Sequence, residues 1–545
     1  MGKDKPRQRL NVFLLRDVSD FADALDTEDS DHPAQQIEVL AGEGLDARFY
    51  WRAKSGRTPD WLKFLAPVLE EVPTIHMASS SGLLVLRREG HFFALTFGYG
   101  RSMLDHSKVV HRFGLRVALN TIDPAQIRSL DTKTYDELVV AKNTQASRST
   151  GLSTFDVDTV RDILRNVTGG PREGTLGKRI SGGDSVVLNI EALPGDLGRI
   201  CSDLLASYRD TAYKRDFGWV DDLAIVDDRA LVDELDDLLV AQLRAGDTSL
   251  THMAMPDVLE WQEVDSFKIA PVARQAQFED LDLDDYLAWL PDREALTIDA
   301  LRSRAVQVRF ARSQEWHRQW NVYQCLVSEQ RTAEGLFALI EGQWYAISEN
   351  LAQEVDTYAA TLRAAPFELP AGYVGEHEAA YNERLAAVDP GARLCLDAKI
   401  LRPDGASSGI EVCDVLLTDG TLVHVKRKSR SSTMSHLFAQ GLISITTLLA
   451  EGTFRNRLRE YIAEQVDDID VWSQVVPDQG DSPDRAYYSV AYVVLANSTR
   501  EGSDWLPFFS KLNLMQAAKT LRASIGVDVT LTRVDLIERP SQTTA

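Results

Sequence analysis

Cysteine is scarce in this 545-residue chain: Cys201, Cys325, Cys395 and Cys413 are the only four, and none stands in a CxxC spacing. Neither a zinc ribbon nor a disulfide framework fits that pattern, so each thiol is expected as a small buried hydrophobe. No apolar run approaches the roughly 18 residues of a membrane helix, and the opening MGKDKPRQRL lacks the apolar core of a signal peptide. A soluble cytoplasmic protein without membrane contact is expected. Basic charge is also short: 59 Lys and Arg against 82 Asp and Glu give a formal net charge of -23, which argues against nucleic-acid binding spread over the whole surface. Any contact with phosphates has to be local. No G-x-S-x-G elbow occurs, which counts against a Ser/His/Asp hydrolase.

What is present reads as an α+β, multidomain protein. The composition is 44% hydrophobic and 26% charged, that of ordinary globular domains, and the length allows roughly two to four of them. The expected division is an amino-terminal α+β domain (1–245), a middle domain with a β-meander (246–370) and a carboxy-terminal mixed α/β domain (371–545). Leu10 to Leu15 and Ala47 to Trp51 are strand-like, and Ser81 to Arg101 reads as a hairpin turning at Arg88-Glu89-Gly90. FGLRVALNTIDPAQIRSLDTKT is expected to continue the sheet and then enter a short helix capped at Asp123, with Pro124 at its first position. From Thr154 to Asp228 the pattern is mostly helical, interrupted by the glycine-rich stretch from Thr168 to Asp184. Lys178 and Arg179 suggest a phosphate cradle, but residue 172 is Arg and no Ser or Thr follows Lys178, so a surface loop is the better reading. The aspartates between Tyr213 and Asp228 read as helix ends and turns rather than metal ligands. Trp316, Trp320, Trp344 and Tyr345 read as meander core before base-stacking platforms.

The most informative stretch is Ile410 to Ala450. Two apolar runs, Ile410 to Leu417 and Thr421 to Lys428, flank Thr418-Asp419-Gly420 and predict a hairpin. A three-residue loop sets Asp414 opposite His424, with Lys426 pointing the same way. It leaves Cys413, Val415, Leu417, Val423 and Val425 as a core face, whereas a two-residue turn would mix charges into both faces. Met434, Leu437, Phe438, Gly441, Leu442, Ile445 and Leu448 then recur at helical spacing, and Gly441 implies close approach to a strand. Ahead of the hairpin, helix EHEAAYNERLAAV places Glu378, Asn382 and Leu385 on one face, and RLCLDAKIL alternates as a strand. KRKSR (Lys426, Arg427, Lys428 and Arg430 its cations) and later Arg455, Arg457 and Arg459 are the clearest local basic clusters. A solvated strand end is the plain reading of such a run.

The order α-β-β-β-α-β-α-β, with Asp414 before a strand bearing HVK, resembles the PD-(D/E)xK nuclease superfamily, the restriction-endonuclease-like fold, over roughly Glu376 to Ile537. The resemblance implies that Asp414 and Glu378 hold a divalent metal, magnesium or manganese, that Lys426 orients the attacking water, and that Gln440 is the site's helix glutamine. His424 stands where the second acid usually stands, and Ser444 where a tyrosine does. An imidazole ligand would favour manganese, iron or zinc over magnesium. The whole chain also resembles a sporadically distributed family of large bacterial proteins of unassigned function, often encoded among mobile and defence genes. The stretches that carry this are ALTFGYGR, FGLRVALNTIDP, GKRISGGD, Tyr213 to Asp228 and above all EVCDVLLTDGTLVHVKRKSRSSTMSHLFAQG.

Two functions stand side by side. One is a metal-dependent nuclease (Asp414, His424, Lys426, Gln440) acting in defence against foreign DNA, with Lys426, Arg427, Lys428 and Arg430 on the flanking phosphates. The alternative is a non-catalytic nucleic-acid sensor or scaffold in which Asp414 and Lys426 are a structural pair. DNA is the preferred nucleic acid, and a protein partner or a homo-oligomer is compatible with either.

Overall fold

The computed structural model describes residues 6–26, 34–39, 44–57, 74, 77–135, 139–155, 157, 162–172, 177–256, 264–270, 277–278, 281–310, 316–397, 399–403, 409–428, 434–498 and 500–539. The structure is mixed α+β, as the sequence predicts. It divides into two compact units, residues 1–134 with 141–221 and residues 135–140 with 222–545.

The first unit is built on a ten-stranded sheet, in which Met77–Arg88 and His91–Gly98 form the expected hairpin, with Arg88 paired to His91 across the turn. The next two elements are the reverse of the expectation. Phe113–Thr121 is a helix, and Ile122–Tyr135, which contains Asp123 and Pro124, is a strand. The helix is buried on almost every side, so its apolar residues carry no one-sided stripe, and a continuous apolar run is easily taken for a strand. Pro124 fits because the pairing register jumps from Ile122 to Ile127, where no ladder bond from residue 124 is needed. A Cβ on Gly182 would lie 1.9 Å from the Gly114 carbonyl oxygen, and the Leu115 N–H donates to the Gly183 carbonyl at 2.7 Å. The segments FGLR and ISGGD are thus the two sides of one backbone-to-backbone contact.

In the stretch after Thr154, expected to be mostly helical, the described residues include the strands Asp162–Pro171, Ile180–Gly182 and Val186–Glu191 ahead of the helix Leu197–Arg209. Val167, Thr168, Ile180, Val186 and Val187 are β-branched, and pairing in the sheet overrides a weak helical spacing. The glycine-rich segment is largely the hairpin between the first two of these strands. Its residues 173–176 lie outside the described residues.

In the second unit a five-stranded antiparallel sheet, containing the meander Leu326–Thr332, Gly335–Ile340 and Gln343–Ile347, packs on the acidic helix Arg229–Ala245. Trp344 and Tyr345 are buried, and Trp344 Nε1–H donates to buried Asp236 at 2.9 Å, which makes them core.

The carboxy-terminal part runs through helix α1 (Glu378–Ala387), strands β1 (Arg393–Cys395), β2 (Val415–Leu417) and β3 (Thr421–Arg427), helices α2 (Met434–Ala450) and α3 (Gly452–Gln465), strand β4 (Ser489–Leu495), helix α4 (Phe508–Lys519) and strand β5 (Asp528–Val534). The strands lie side by side in chain order; β1-β2 and β2-β3 are antiparallel, β3-β4 and β4-β5 parallel. Tyr381 and Leu385 of α1 cover one face on Val415, Val423, Val425 and Val493. Met434, Leu437 and Phe438 of α2 cover the other on Leu416, Leu422 and Tyr492. The β2-β3 register is the predicted one, Val415 with Val423 and Leu416 with Leu422, around the loop Thr418 to Gly420.

Two predicted strands are broken. RLCLDAKIL leaves the sheet after Cys395 and resumes as Ile400–Leu401, which pairs with Ile410–Glu411 in a separate ribbon. Strand β2 begins only at Val415, and alternation fails across Asp414: Cys413 enters the α2-side core and Val415 the α1-side core.

Gly441 sits where α2 crosses β4. A Cβ there would stand 2.5 Å from Tyr492 Oη, and Tyr492 is fully buried and donates to the Phe438 carbonyl at 2.9 Å. Alanine is the better helix former by ~1 kcal/mol, but overpacking a filled core costs about 1–3 kcal/mol. Gly441→Ala is therefore expected to lower the urea midpoint of the carboxy-terminal transition. A raised midpoint would show that Tyr492 yields without cost.

Candidate metal centre

At the two strand breaks, Asp397, Glu411 and Asp414 each bring a carboxylate oxygen to within 4.8 Å of the others. A backbone bond from Leu396 N–H to the Asp414 carbonyl at 2.8 Å ties the breaks together. From α1, Asn382 Nδ2 donates to Asp414 Oδ1 at 3.1 Å and to Asp397 Oδ1 at 3.2 Å. Asn382 is completely buried, and its Oδ1 has no hydrogen-bond partner among the described residues. From α2, Gln440 Nε2 donates to Glu411 Oε2 at 3.3 Å, and the Val425 N–H of β3 donates to Asp414 Oδ2 at 2.7 Å.

Burial, with Glu411 and Asp397 adding to it, pushes the Asp414 carboxyl well above the usual carboxylate range, against the opposite pull of the Val425 N–H. Crowded acids of this kind hold a proton or a cation. The donor chemistry fits a cation of the hard, oxygen-seeking class: three carboxylates, and a buried amide whose unpartnered oxygen would face the cluster if the amide turned over.

The residues singled out from the sequence separate into three places. Asp414 and Gln440 are at the cluster. Glu378 and Lys426 form an ion pair beside it, Lys426 Nζ to Glu378 Oε2 at 3.0 Å, and Glu378 Oε1 accepts the Arg427 N–H at 2.9 Å. Glu378 lies one turn, about 6 Å along α1, from Asn382. His424 is elsewhere. The expectation that it shares a face with Asp414 is corrected: the break in β2 turns Asp414 toward Asn382 on α1, whereas His424 lies in the α2-side core, 2% exposed, with Nε2 3.2 Å from Ser444 Oγ. Burial lowers its pKa to about 4, so it is neutral at pH 7. The basic run does not form one patch either. The Arg427 guanidinium donates to the Glu376 carbonyl and Lys428 Nζ to the Trp505 carbonyl, and Arg430 lies outside the described residues. Arg455 is buried and donates to the Leu448 and Leu449 carbonyls, closing the end of α2.

Asp397, Glu411 and Asn382 carry no role in a reading of the sequence alone. Regular alternation sets Glu411 and Asp414 on opposite faces, so the E-x-x-D spacing speaks for a shared site only once β2 is known to break between them. Helical spacing places Asn382 on the right face of α1, and only the tertiary structure shows what lies beneath it.

The burial of Asp414 and of His424 makes stability depend on pH in opposite senses. Asp414 holds its proton in the folded protein where the unfolded chain has lost it, so it lowers metal-free stability as pH rises above the ordinary carboxyl value. Asp414→Asn is expected to raise the metal-free melting temperature at pH 7. It should also abolish calorimetric binding of magnesium, which in the wild type should tighten as pH rises because the proton must leave. For His424 the folded pKa of about 4 lies below the ordinary value of 6.5, so stability is lost as pH falls from about 6.5 toward about 4. The loss is of order 3 kcal/mol, and His424→Gln should flatten that part of the pH–stability curve. An unchanged curve would place the histidine in water.

No curated protein and no solved structure matches the chain. A family model does, over residues 10–535, nearly the whole length, including the helix–sheet glycine contact of the first unit and the acid cluster of the second. The chain belongs to that family, described as a family of unknown function (DUF6119).

Proposed function

We propose that the carboxy-terminal sheet carries a divalent-metal-dependent nuclease, a phosphodiesterase acting on nucleic acid. The observation that carries this is the meeting of three carboxylate oxygens within 4.8 Å beside a buried amide oxygen without a partner. Support comes from the α-β-β-β-α order that opens this part, with a helix on each face, an acid just ahead of β2 and a lysine on β3, which is the arrangement the resemblance to the PD-(D/E)xK superfamily leads one to expect; helix α3, before β4, is additional to it. Foreign DNA as substrate, in a defence setting, is what the whole-chain resemblance adds.

Asp397, Glu411 and Asp414 would hold the ion, with Asn382 able to add its Oδ1. A bound divalent ion supplies Lewis-acid stabilisation of charge developing on a phosphoryl oxygen. The chain's own groups do the rest. Glu378 holds the Lys426 ammonium beside the cluster, where it can orient a water by hydrogen bonding. Gln440 steadies Glu411, and the Val425 N–H fixes the Asp414 carboxylate. With His424 in the core, the ligands are all oxygen, so magnesium replaces the manganese preference that an imidazole ligand would bring.

One observation favours the second reading, a nucleic-acid sensor or scaffold without catalysis: Lys426 is already neutralised by Glu378 at 3.0 Å. The two readings part in one experiment, incubation of single- and double-stranded DNA and RNA with magnesium or manganese. The nuclease reading expects cleavage at least as fast with magnesium, lost in Asp414→Ala and reduced about 10²-fold or more in Lys426→Ala, with no change in metal preference in His424→Gln. Metal binding without cleavage of any substrate would leave the sensor, and equal metal binding by wild type and Asp414→Ala would remove the site.

A further inference from the structure

We infer that the cavity at the carboxyl ends of β3, β4 and β5 is a second site, one that binds a phosphate group of a nucleic-acid strand. The inference deepens the nuclease reading and rests on it for the identity of the ligand. The cavity itself stands on separate residues.

The cavity, of about 630 Å³, opens where three adjacent parallel strands end: Lys428 follows β3, Asn497 and Ser498 follow β4, and Asp535 follows β5. In open α/β sheets this edge is where ligands sit, because the loops leaving neighbouring strands diverge there and leave a crevice. Donors converge on it. Lys428 is half-buried, its Nζ held by the Trp505 carbonyl at 2.7 Å, and Arg500 stands close enough to repel it. Burial, and then Arg500, lower the Lys428 pKa, against the opposite pull of Glu329 and Asp247. Arg500 is exposed and makes no ion pair among the described residues. Asn497 accepts the Leu536 N–H on Oδ1 at 2.7 Å, which fixes its amide so that Nδ2 remains a donor.

Two acids line the same cavity. Asp535 is paired with Arg533 at 3.2 Å, and Asp247 accepts the Ser249 N–H at 3.0 Å. Asp247 and the buried Glu329 both act on Lys428, but the Glu329 oxygens are already taken by the Phe508 and Phe509 N–H groups, and Arg500 remains an exposed cation at the cavity. A guanidinium, an ammonium and an amide around one space match a phosphate's several acceptor oxygens.

The spacing links the cavity to the acid cluster. Val425, whose N–H holds Asp414, is three residues before Lys428 along one strand, about 10 Å at ~3.3 Å per residue. A nucleic-acid strand carries a charge every ~3.4 Å of rise. The cavity is therefore close enough to the cluster for one short strand to reach both.

The test is fluorescence anisotropy of a labelled single-stranded DNA 12-mer on the full chain in EDTA, titrated at several salt concentrations, with unlabelled 12-mer or dAMP as competitor. Arg500→Glu, an exposed change, is expected to weaken binding about tenfold and to reduce the log–log salt slope by about one. Lys428→Ala, checked by thermal melting, should do the same. Competition by the 12-mer at much lower concentration than dAMP identifies a strand; equal competition identifies a free nucleotide and overturns the strand assignment. No binding by wild type, or unchanged affinity and slope in both variants, overturns the inference. Calorimetric titration with magnesium separates the two claims: loss of metal binding with intact, Arg500-dependent DNA binding defeats the nuclease reading and spares this site.

Discussion

A single buried amide ties two of the three clustered acids to the helix that covers them. Carboxylates gathered within 4.8 Å repel one another when ionised, which is one reason Asp414 holds its proton. Asn382 opposes that by donating to Asp397 and Asp414 together, and hydrogen bonds to charged groups contribute about 1.5–3 kcal/mol each. Its position is in turn set by the face of α1, where Tyr381 and Leu385 pack on the sheet. The site is therefore held by the hydrophobic core beneath it: shift α1 by a turn and the acids lose their common donor. What the amide leaves uncompensated appears as the raised pKa of Asp414 and as an oxygen without a partner, both of which a cation would relieve.

A second buried carboxylate in the same unit has no such deficit. Glu329, on the meander strand Leu326–Thr332, accepts the N–H groups of Phe508 and Phe509 at 2.6 and 3.0 Å, at the first turn of α4. Burial still raises its pKa, but the helix start supplies both donors that a carboxylate can use there. This contact ties the middle sheet to the carboxy-terminal one, and the loop that carries Arg500 and Trp505 lies between β4 and α4. The two carboxylate environments differ on physical grounds: one has its acceptors filled by backbone, the other gathers acceptors faster than donors.

The edge of the carboxy-terminal sheet thus carries opposite charges in sequence, acids where β1 and β2 break and cations where β3 and β4 end. In a chain with a net charge of -23, such a local arrangement is the form that contact with a polyanion has to take. It confines attraction to a few positions and leaves the remaining surface repulsive.

Local periodicity and turn chemistry, acting over a few residues, are enough to specify the α+β class, the hairpin with its following helix α2, the β2-β3 register and the meander core, although the helix α3 between α2 and β4 is additional to the expected order. They also place Asp414, Gln440 and Lys426 near the site, because turn length fixes strand partners. They fail where a continuous apolar run suits either element, as at Phe113–Thr121, and where pairing across the sheet outweighs weak helical spacing, as at Asp162–Pro171. The acid cluster belongs to the tertiary structure alone. Strand alternation is a rule about unbroken strands, and here the chain leaves the sheet at Leu396 and at Val412. Those two departures carry Asp397, Glu411 and Asp414 together and send His424 into the core, an outcome set by how α1 and α2 pack on opposite faces of the sheet.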